Sequence, residues 1–264
     1  MRHTGNVTQK EINFPSKHRL ISTTTAKGII TYANDEFCNV AGYKIDELEG
    51  QAHNLIRHPD MPEAAFKDLW DKIQSHQSWM GLVKNRTKNG DHYWVDAFVT
   101  PIMENGSIEE IQSVRTKCDA DAKKRAETLY ESINKKTPPL FLSFNFPDLF
   151  QKAVITSVIA GILLALGLSN LFSPTISIIL PILSLLLMAI LLLRTTRNIS
   201  TLATKTRSSV DNKIGQHIYF GKVDDISQIE LALKMKDVEL TAADLIKMRE
   251  KETLQSQQLS VEKI

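Results

Sequence analysis

The sequence predicts an α+β domain, an antiparallel sheet with helices on one face, then a two-helix transmembrane hairpin, then an all-α helical region. Three observations predict this. Across residues 62–117 the apolar period changes from 3.6 to 2. From Ala153 to Leu193 there is no Asp, Glu, Lys, Arg or His in 41 residues. After Arg194 the apolar residues return at three- and four-residue spacing, with Gly215 and Gly221 between two such stretches.

The first 30 residues are polar, with no apolar core followed by a cleavage site, so no signal peptide is expected and the N-terminal part is assigned to the cytoplasm. Residues 1–19 read as an N-terminal cap and 20–118 as the α+β domain. Gly28–Ala33 is rich in β-branched and aromatic residues and reads as a strand. Asn34 and Asp35 suit the N-cap of a short helix, Glu36–Ala41, that Gly42 ends. A second helical turn, Asp46–Glu49, ends at Gly50. Pro62 opens a longer helix whose Phe66, Leu69, Trp70 and Ile73 form one apolar stripe. Strands Trp79–Arg86 and Asp91–Pro101 are joined around Asn89-Gly90, and Asn105-Gly106 leads into a third, Ile108–Lys117. On the second strand Tyr93, Val95, Ala97 and Val99 alternate with Trp94, Asp96 and Phe98, so only one set faces the helices. A sheet covered in this way forms a cup that suits a flat ligand.

Residues 119–152 read as a linker. The uncharged run is too long for one span, since 41 helical residues reach about 60 Å against about 30 Å of bilayer hydrocarbon. Asn170–Pro174 supplies a turn, which gives antiparallel spans Ala153–Asn170 and Thr175–Leu193. Lys135, Lys136 and Lys152 precede them, Arg194, Arg197, Lys205 and Arg207 follow, and the turn has no basic residue, so both outer ends are expected in the cytoplasm. A segment of about five residues outside the membrane is too small to bind a ligand, so sensing from the cytoplasmic side or from within the membrane is expected. In residues 194–246, Ile199, Leu202, Thr206 and Val210, then Ile226, Ile229, Leu233 and Leu240 after Asp224-Asp225, predict two amphipathic helices around a glycine-containing connector. Residues 247–264 read as a charged helical extension.

A net charge of +2 excludes a general nucleic-acid binder. Cys38 and Cys118 form no CxxC pair and are expected as free thiols. His53, His58 and His92 lack metal-ligand spacing, so no metal is expected. No nucleophile–base pair and no phosphate-binding glycine loop is visible, so no enzyme activity is expected.

Several strings carry a family resemblance: ITYAND (Ile30–Asp35), AGY (Ala41–Tyr43), ELEGQAHNLIRHPDMP (Glu47–Pro62), AAF (Ala64–Phe66) and VKNRTKNGDHYWV (Val83–Val95). They resemble the PAS domain of the bacterial aerotaxis receptors, over residues 20–118. DDISQIELALKMK (Asp224–Lys236) resembles the second helix of their HAMP region, a parallel four-helix bundle in the homodimer. The resemblance implies a PAS fold holding non-covalent FAD, a transmembrane hairpin, a HAMP-like relay and an inner-membrane redox or energy sensor. Its partner would be a chemotaxis signalling protein or a separate receptor. The long kinase-controlling coiled coil of those receptors does not follow in this sequence, which leaves the output open.

By motif match the resemblance assigns FAD binding to Asn34, Arg57, His58, Asp60, Asn85 and Tyr93, and chemistry adds Trp79. Arg57 and His58 are suitable donors to a pyrophosphate, and Trp79, Tyr93 and Asn85 suit a flat ring with a polar edge. His58 and Asp60 equally suit fixing a loop, Trp70 suits core packing, and Trp79 suits either role. No cysteine lies near Arg57, so a light-driven flavin–thiol adduct is not expected, and Cys38 suits packing. Two alternatives stay open: a haem or small-ligand sensor with His53, His58 or His76 as axial ligand, and a cofactor-free membrane adaptor that binds proteins.

Overall fold

The computed structural model describes residues 7–143, 149–168, 173–207 and 210–261. The chain divides into two units, Met1–Pro139 with Lys234–Ile264, and Leu140–Leu233.

In the first unit, strands β1 (Leu20–Thr25), β2 (Ile30–Ala33), β3 (Trp79–Arg86), β4 (His92–Glu104) and β5 (Ser107–Lys117) form one sheet in the order β2-β1-β5-β4-β3, with antiparallel pairs throughout. Between β2 and β3 the chain forms α1 (Asp35–Ala41), α2 (Ile45–Leu48), a 3₁₀ turn (His53–Ile56) and α3 (Glu63–Gln74). The Oδ1 of Asn34 accepts from the Phe37 amide at 3.1 Å and Gly42 ends α1 at φ 73°, a left-handed cap that glycine adopts without strain. Asn105 (φ 50°) and Gly106 (φ 80°) make the tight turn between β4 and β5, with both central residues at positive φ as a type I′ hairpin requires.

Asn89-Gly90 behaves differently. Five residues, Thr87–Asp91, separate β3 from β4 because the Asn89 side chain is used locally, accepting from the Asp91 amide at 3.1 Å. β4 also continues past Pro101, where a strand was expected to end. β3 stops opposite Val99, which leaves one side of β4 open there and lets a proline sit in the strand.

The core lies between the concave sheet face and the short helices, where Leu20, Ile30, Phe37, Leu48, Ile56 and Ile73 are fully buried. Gly81 marks its tightest point: a Cβ there would meet the Trp79 ring at 2.5 Å. Gly81→Ala is therefore expected to destabilise the domain by about 1–3 kcal/mol through overpacking, measured by urea unfolding. On the convex face lies α4 (Ala120–Asn134), capped by Asp119, whose Oδ1 accepts from the Ala122 amide at 2.9 Å. Tyr130 of α4 donates to the Leu82 carbonyl at 2.8 Å.

The second unit holds α5 (Leu140–Ser143), α6 (Leu149–Leu168), α7 (Pro174–Arg207), α8 (Lys213–Phe220) and the start of α9 (Asp225–Val261). The two apolar stretches fall in α6 and α7. These pack together, with Gly161 against Leu185, residues equidistant in sequence from Ser173. The turn residues Asn170, Leu171 and Phe172 lie outside the described residues. Among the described residues one segment, Pro174–Arg194, is long and apolar enough to cross a membrane by length and composition. Pro181 lies inside it.

Gly215 was expected in a break between helices. It lies instead inside α8, whose N-cap Asn212 accepts from the Gly215 amide at 2.8 Å. Glycine suits the position because a Cβ would meet the capping Asn212 side chain at 3.3 Å. Gly221 does end a helix, at φ 73°. Around this connector Gln216 donates to Gln228 at 2.6 Å, and Arg207 pairs with the buried Asp225 at 2.7 Å.

Candidate functional site

The concave sheet face, α3 and the 3₁₀ turn enclose a cavity of about 260 Å³. Strand alternation selects its walls. Val83 and Asn85 face it from β3, Ala97 and Val99 from β4, Ile111, Ser113 and Arg115 from β5, and Ser22 and Thr24 from β1. Phe66, Leu69 and Trp70 close it from α3, so three residues of the predicted apolar stripe line a cavity and only Ile73 is fully buried. The inward set on β4 is that of Tyr93, Val95, Ala97 and Val99. Trp94 points the other way, its ring stacked 6.2 Å from Tyr130 of α4.

Three of the residues assigned from sequence line this cavity. The Trp79 ring folds over Gly81 and its Nε1 donates to Asp68 at 2.8 Å, which ties α3 to the sheet. Asn85 is buried and its Nδ2 has no hydrogen-bond partner. Arg57 donates to the Met61 carbonyl at 2.9 Å and lies over the Phe66 ring at 3.9 Å.

The other four lie elsewhere. Asn34 caps α1 and also donates to the Arg19 carbonyl at 2.8 Å. Tyr93 is fully buried beyond the lining, edge-on to Phe14, and burial pushes its hydroxyl pKa up. His58 and Asp60 fix the loop before α3. The Nδ1 of His58 accepts from the Asp60 amide at 3.2 Å, and Asp60 pairs with Lys84 at 2.7 Å. Burial first, then Lys84, pushes the pKa of His58 down to about 4, and its ring meets that of His92 edge-on at 5.4 Å.

The strongest polar feature of the cavity is one that the motifs did not single out. Arg115 is buried and donates to Ser22 Oγ at 2.9 Å. Its Nη2 stands 2.8 Å from His53 Nε2. A guanidinium only donates, so that nitrogen accepts and His53 is the neutral Nδ1–H tautomer. Burial, then Arg115, holds the His53 pKa at about 3, and burial draws that of Arg115 down to about 10. The Phe37 ring lies 5.3 Å away. Among the described residues no carboxylate pairs with Arg115. A buried cation without a counter-charge is costly, and at a cavity wall it calls for an anionic or strongly accepting ligand atom. Ser113 Oγ, on the same strand, is a second buried group without a partner. The sequence signal for both was parity: they share a strand face with Ile111, two and four residues on.

These residues fit the flat ring of a flavin. Asn85, Ser113 and Arg115 offer donors on one side of a slot walled by Trp70, Trp79, Val83 and Val99. The volume takes a ring system but not a whole dinucleotide, so the rest of FAD would lie outside it.

Comparison with known proteins agrees with this architecture. Residues 30–115 match the family model for the PAS fold. Over 128 residues, 48% of this chain, the sequence is 45% identical to the aerotaxis receptor of Escherichia coli (strain K12). Over 90 residues, 34% of this chain, it is 33% identical to a nitrogen fixation regulatory protein of Klebsiella pneumoniae. The matches span 25% and 18% of these two relatives' own lengths. The dark structure of the blue-light photoreceptor Aureochrome1 LOV is 21% identical, with a TM-score of 0.38, over 44% of this chain and 86% of that one. Residues 30–115 thus form a PAS fold, in a chain similar over its PAS region to an aerotaxis receptor.

Proposed function

We propose that this chain is a membrane-anchored cytoplasmic redox or energy sensor of the aerotaxis type, with non-covalent FAD in the PAS cavity. The observation that carries the reading is the buried Arg115, which has no carboxylate partner among the described residues, beside the unpartnered Asn85 Nδ2 and Ser113 Oγ in a slot of flavin shape. The 45% identity to an aerotaxis receptor supports it.

When bound, FAD supplies a redox couple whose charge and protonation differ between its oxidised and reduced forms. The protein supplies the rest. Trp70 and Trp79 hold the ring plane and exclude water, while Asn85 and Ser113 orient its polar edge. Arg115 favours whichever form carries more negative charge at that edge, and His53 stays neutral so as not to compete. Such a preference shifts a conformational equilibrium only by the difference in contact energy between the two forms.

The signal leaves through the helical parts. Paired spans in α6 and α7 anchor the chain in the inner membrane, with both termini cytoplasmic. α7, the connector and α9 form a HAMP-like homodimeric relay that biases a chemotaxis-type partner. Within the first unit Lys234 of α9 lies 3.5 Å from Asp96 of β4, a contact through which the PAS sheet and the relay helix can bias one another.

The test is the pigment of the full chain purified in detergent. FAD released on denaturation, about one per chain, is the expected result. A haem band in its place, or a colourless chain that takes up no added FAD, would overturn the reading.

A further inference from the structure

Where the apolar segment Pro174–Arg194 ends, α7 carries a groove of about 540 Å³. Among the described residues its wall is one face of this helix, from Leu193 through Arg194, Arg197, Ser200 and Thr201 to Lys205. Arg194, Arg197, Thr201 and Lys205 follow one another at three- and four-residue spacing, so each stands beside the next on the helix surface. Thr196 and Ala203, which are buried, lie about 150° round the helix from that row, so the packed side of α7 is not its basic side.

This face has cations and no local counter-charge. Between Asp148 and Asp211 the sequence has no Asp or Glu. Arg194 and Arg197 are exposed and enter no ion pair among the described residues, whereas Arg207, further along, pairs with Asp225. Two guanidiniums one helical turn apart repel each other, and an anion shared between them relieves the repulsion while accepting from both.

The order of groups along the groove selects the kind of anion. The 21 residues of the apolar segment rise about 32 Å, close to the hydrocarbon thickness of about 30 Å, which sets Arg194 at the boundary with the headgroups. Arg197 lies about 4.5 Å further out, inside a headgroup layer of about 5–8 Å. Lys205, about 16 Å beyond Arg194, lies past that layer. Moving away from the apolar segment, the groove offers Leu193, then the two guanidiniums, then the hydroxyls of Ser200 and Thr201. A phospholipid has the same order: acyl chain, phosphate, polar headgroup. A free phosphate ion matches only the middle part.

We infer that this face of α7 is a binding site for an anionic phospholipid, its phosphate held between Arg194 and Arg197 and its headgroup hydroxyls against Ser200 and Thr201. A zwitterionic lipid is disfavoured because it brings its own ammonium to a basic face. A lipid held here ties the end of the apolar segment to the part of α7 that leads to the connector, so the charge of the membrane becomes an input to the relay. The inference rests on the reading of Pro174–Arg194 as a membrane span and not on the flavin reading, since this groove and the PAS cavity share no lining residue.

The experiment uses the full chain and has two parts. Reconstitution into phosphatidylcholine vesicles, followed by alkaline extraction, tests the span by itself, and a chain extracted from the vesicles overturns the span and the inference together. The detergent-purified chain is then titrated with phosphatidylglycerol, or with phosphatidylcholine of the same acyl chains, and bound lipid is counted by native mass spectrometry. Phosphatidylglycerol is expected to saturate at about one per chain and to bind about tenfold more tightly than phosphatidylcholine. Arg194→Gln and Arg197→Gln should each weaken it about fivefold, the usual effect of one basic residue at an anionic surface, and Lys205→Gln by about twofold at most. Arg194→Lys should keep most of the affinity, because it keeps the charge. Both arginines are exposed, so the variants should fold as the parent does, which far-UV circular dichroism checks. Inorganic phosphate equimolar with the lipid should displace none of it. With the chain inserted, equal binding of the two lipids overturns the inference alone. So does parental affinity in both arginine variants, a Lys205→Gln loss as large as theirs, or displacement of the lipid by inorganic phosphate.

Discussion

Arg115→Gln is expected to lower the affinity of the chain for FAD about 10- to 100-fold, the usual cost of losing a hydrogen bond from a charged donor, about 1.5–3 kcal/mol. The apo-protein should be no less stable than the parent. Arg115 is a buried cation with no carboxylate partner among the described residues, so the shorter neutral amide, although it gives up the terminal contacts to His53 and Ser22, removes a desolvation cost that offsets them. That combination, weaker FAD binding with unimpaired apo stability, separates a ligand-facing role from a packing role, for which stability would fall and affinity would follow it. Arg115→Lys should recover part of the loss, since it keeps the charge but not the planar fork of donors. Titration of apo-protein with FAD and urea unfolding of each variant provide the two readouts.

Acid is expected to unfold the PAS domain well before its carboxylates titrate fully. His53, His58 and His92 are all held below the ordinary histidine range, His53 at about 3 and His58 at about 4, with burial the first cause for each. The unfolded chain binds these protons near pH 6.5, while the folded domain binds them only at lower pH. As pH falls below 6.5 the unfolded state therefore takes up more protons, and stability drops until the folded values are reached. Each histidine contributes about 1.4 kcal/mol per pH unit while its window is open. Asp60, Asp91 and Asp119, held below the usual carboxylate range, contribute the same sign at still lower pH. All three tryptophans, Trp70, Trp79 and Trp94, lie in this domain, so tryptophan fluorescence of the full chain in urea at pH 7 and pH 5 measures it alone. His58→Gln should flatten the profile. A stability independent of pH across that interval would contradict the neutral, buried state of these rings.

The sheet and the short helices were legible because their signals are local. Asn34, Gly42 and Asn105-Gly106 each fix the backbone within a few residues, and the structure uses them as caps and turn. Asn89 has the same chemistry but bonds within its own loop, so it gives a longer connection. The cavity was legible only in part. Strand alternation divides β4 into its two faces, yet it does not say that α3 stands off the sheet and leaves a slot along Phe66, Leu69 and Trp70. Nor do motifs reveal Arg115. Its role comes from the pairing of Ser22 with Ser113 across β1 and β5 and from the 3₁₀ turn that brings in His53, contacts between residues far apart in sequence. The apolar run was visible at a glance, because lack of charge over such a length needs no tertiary information.

The account depends on the slot between α3 and the sheet being the flavin seat. Titration of the apo-form of the full-length Trp94→Phe variant with FAD, followed by tryptophan emission, tests this most directly. Only Trp70 and Trp79 then report, and both are in the cavity wall. The account predicts saturable quenching with about one FAD per chain. FAD that binds while both tryptophans stay bright, or no binding at all, would contradict it.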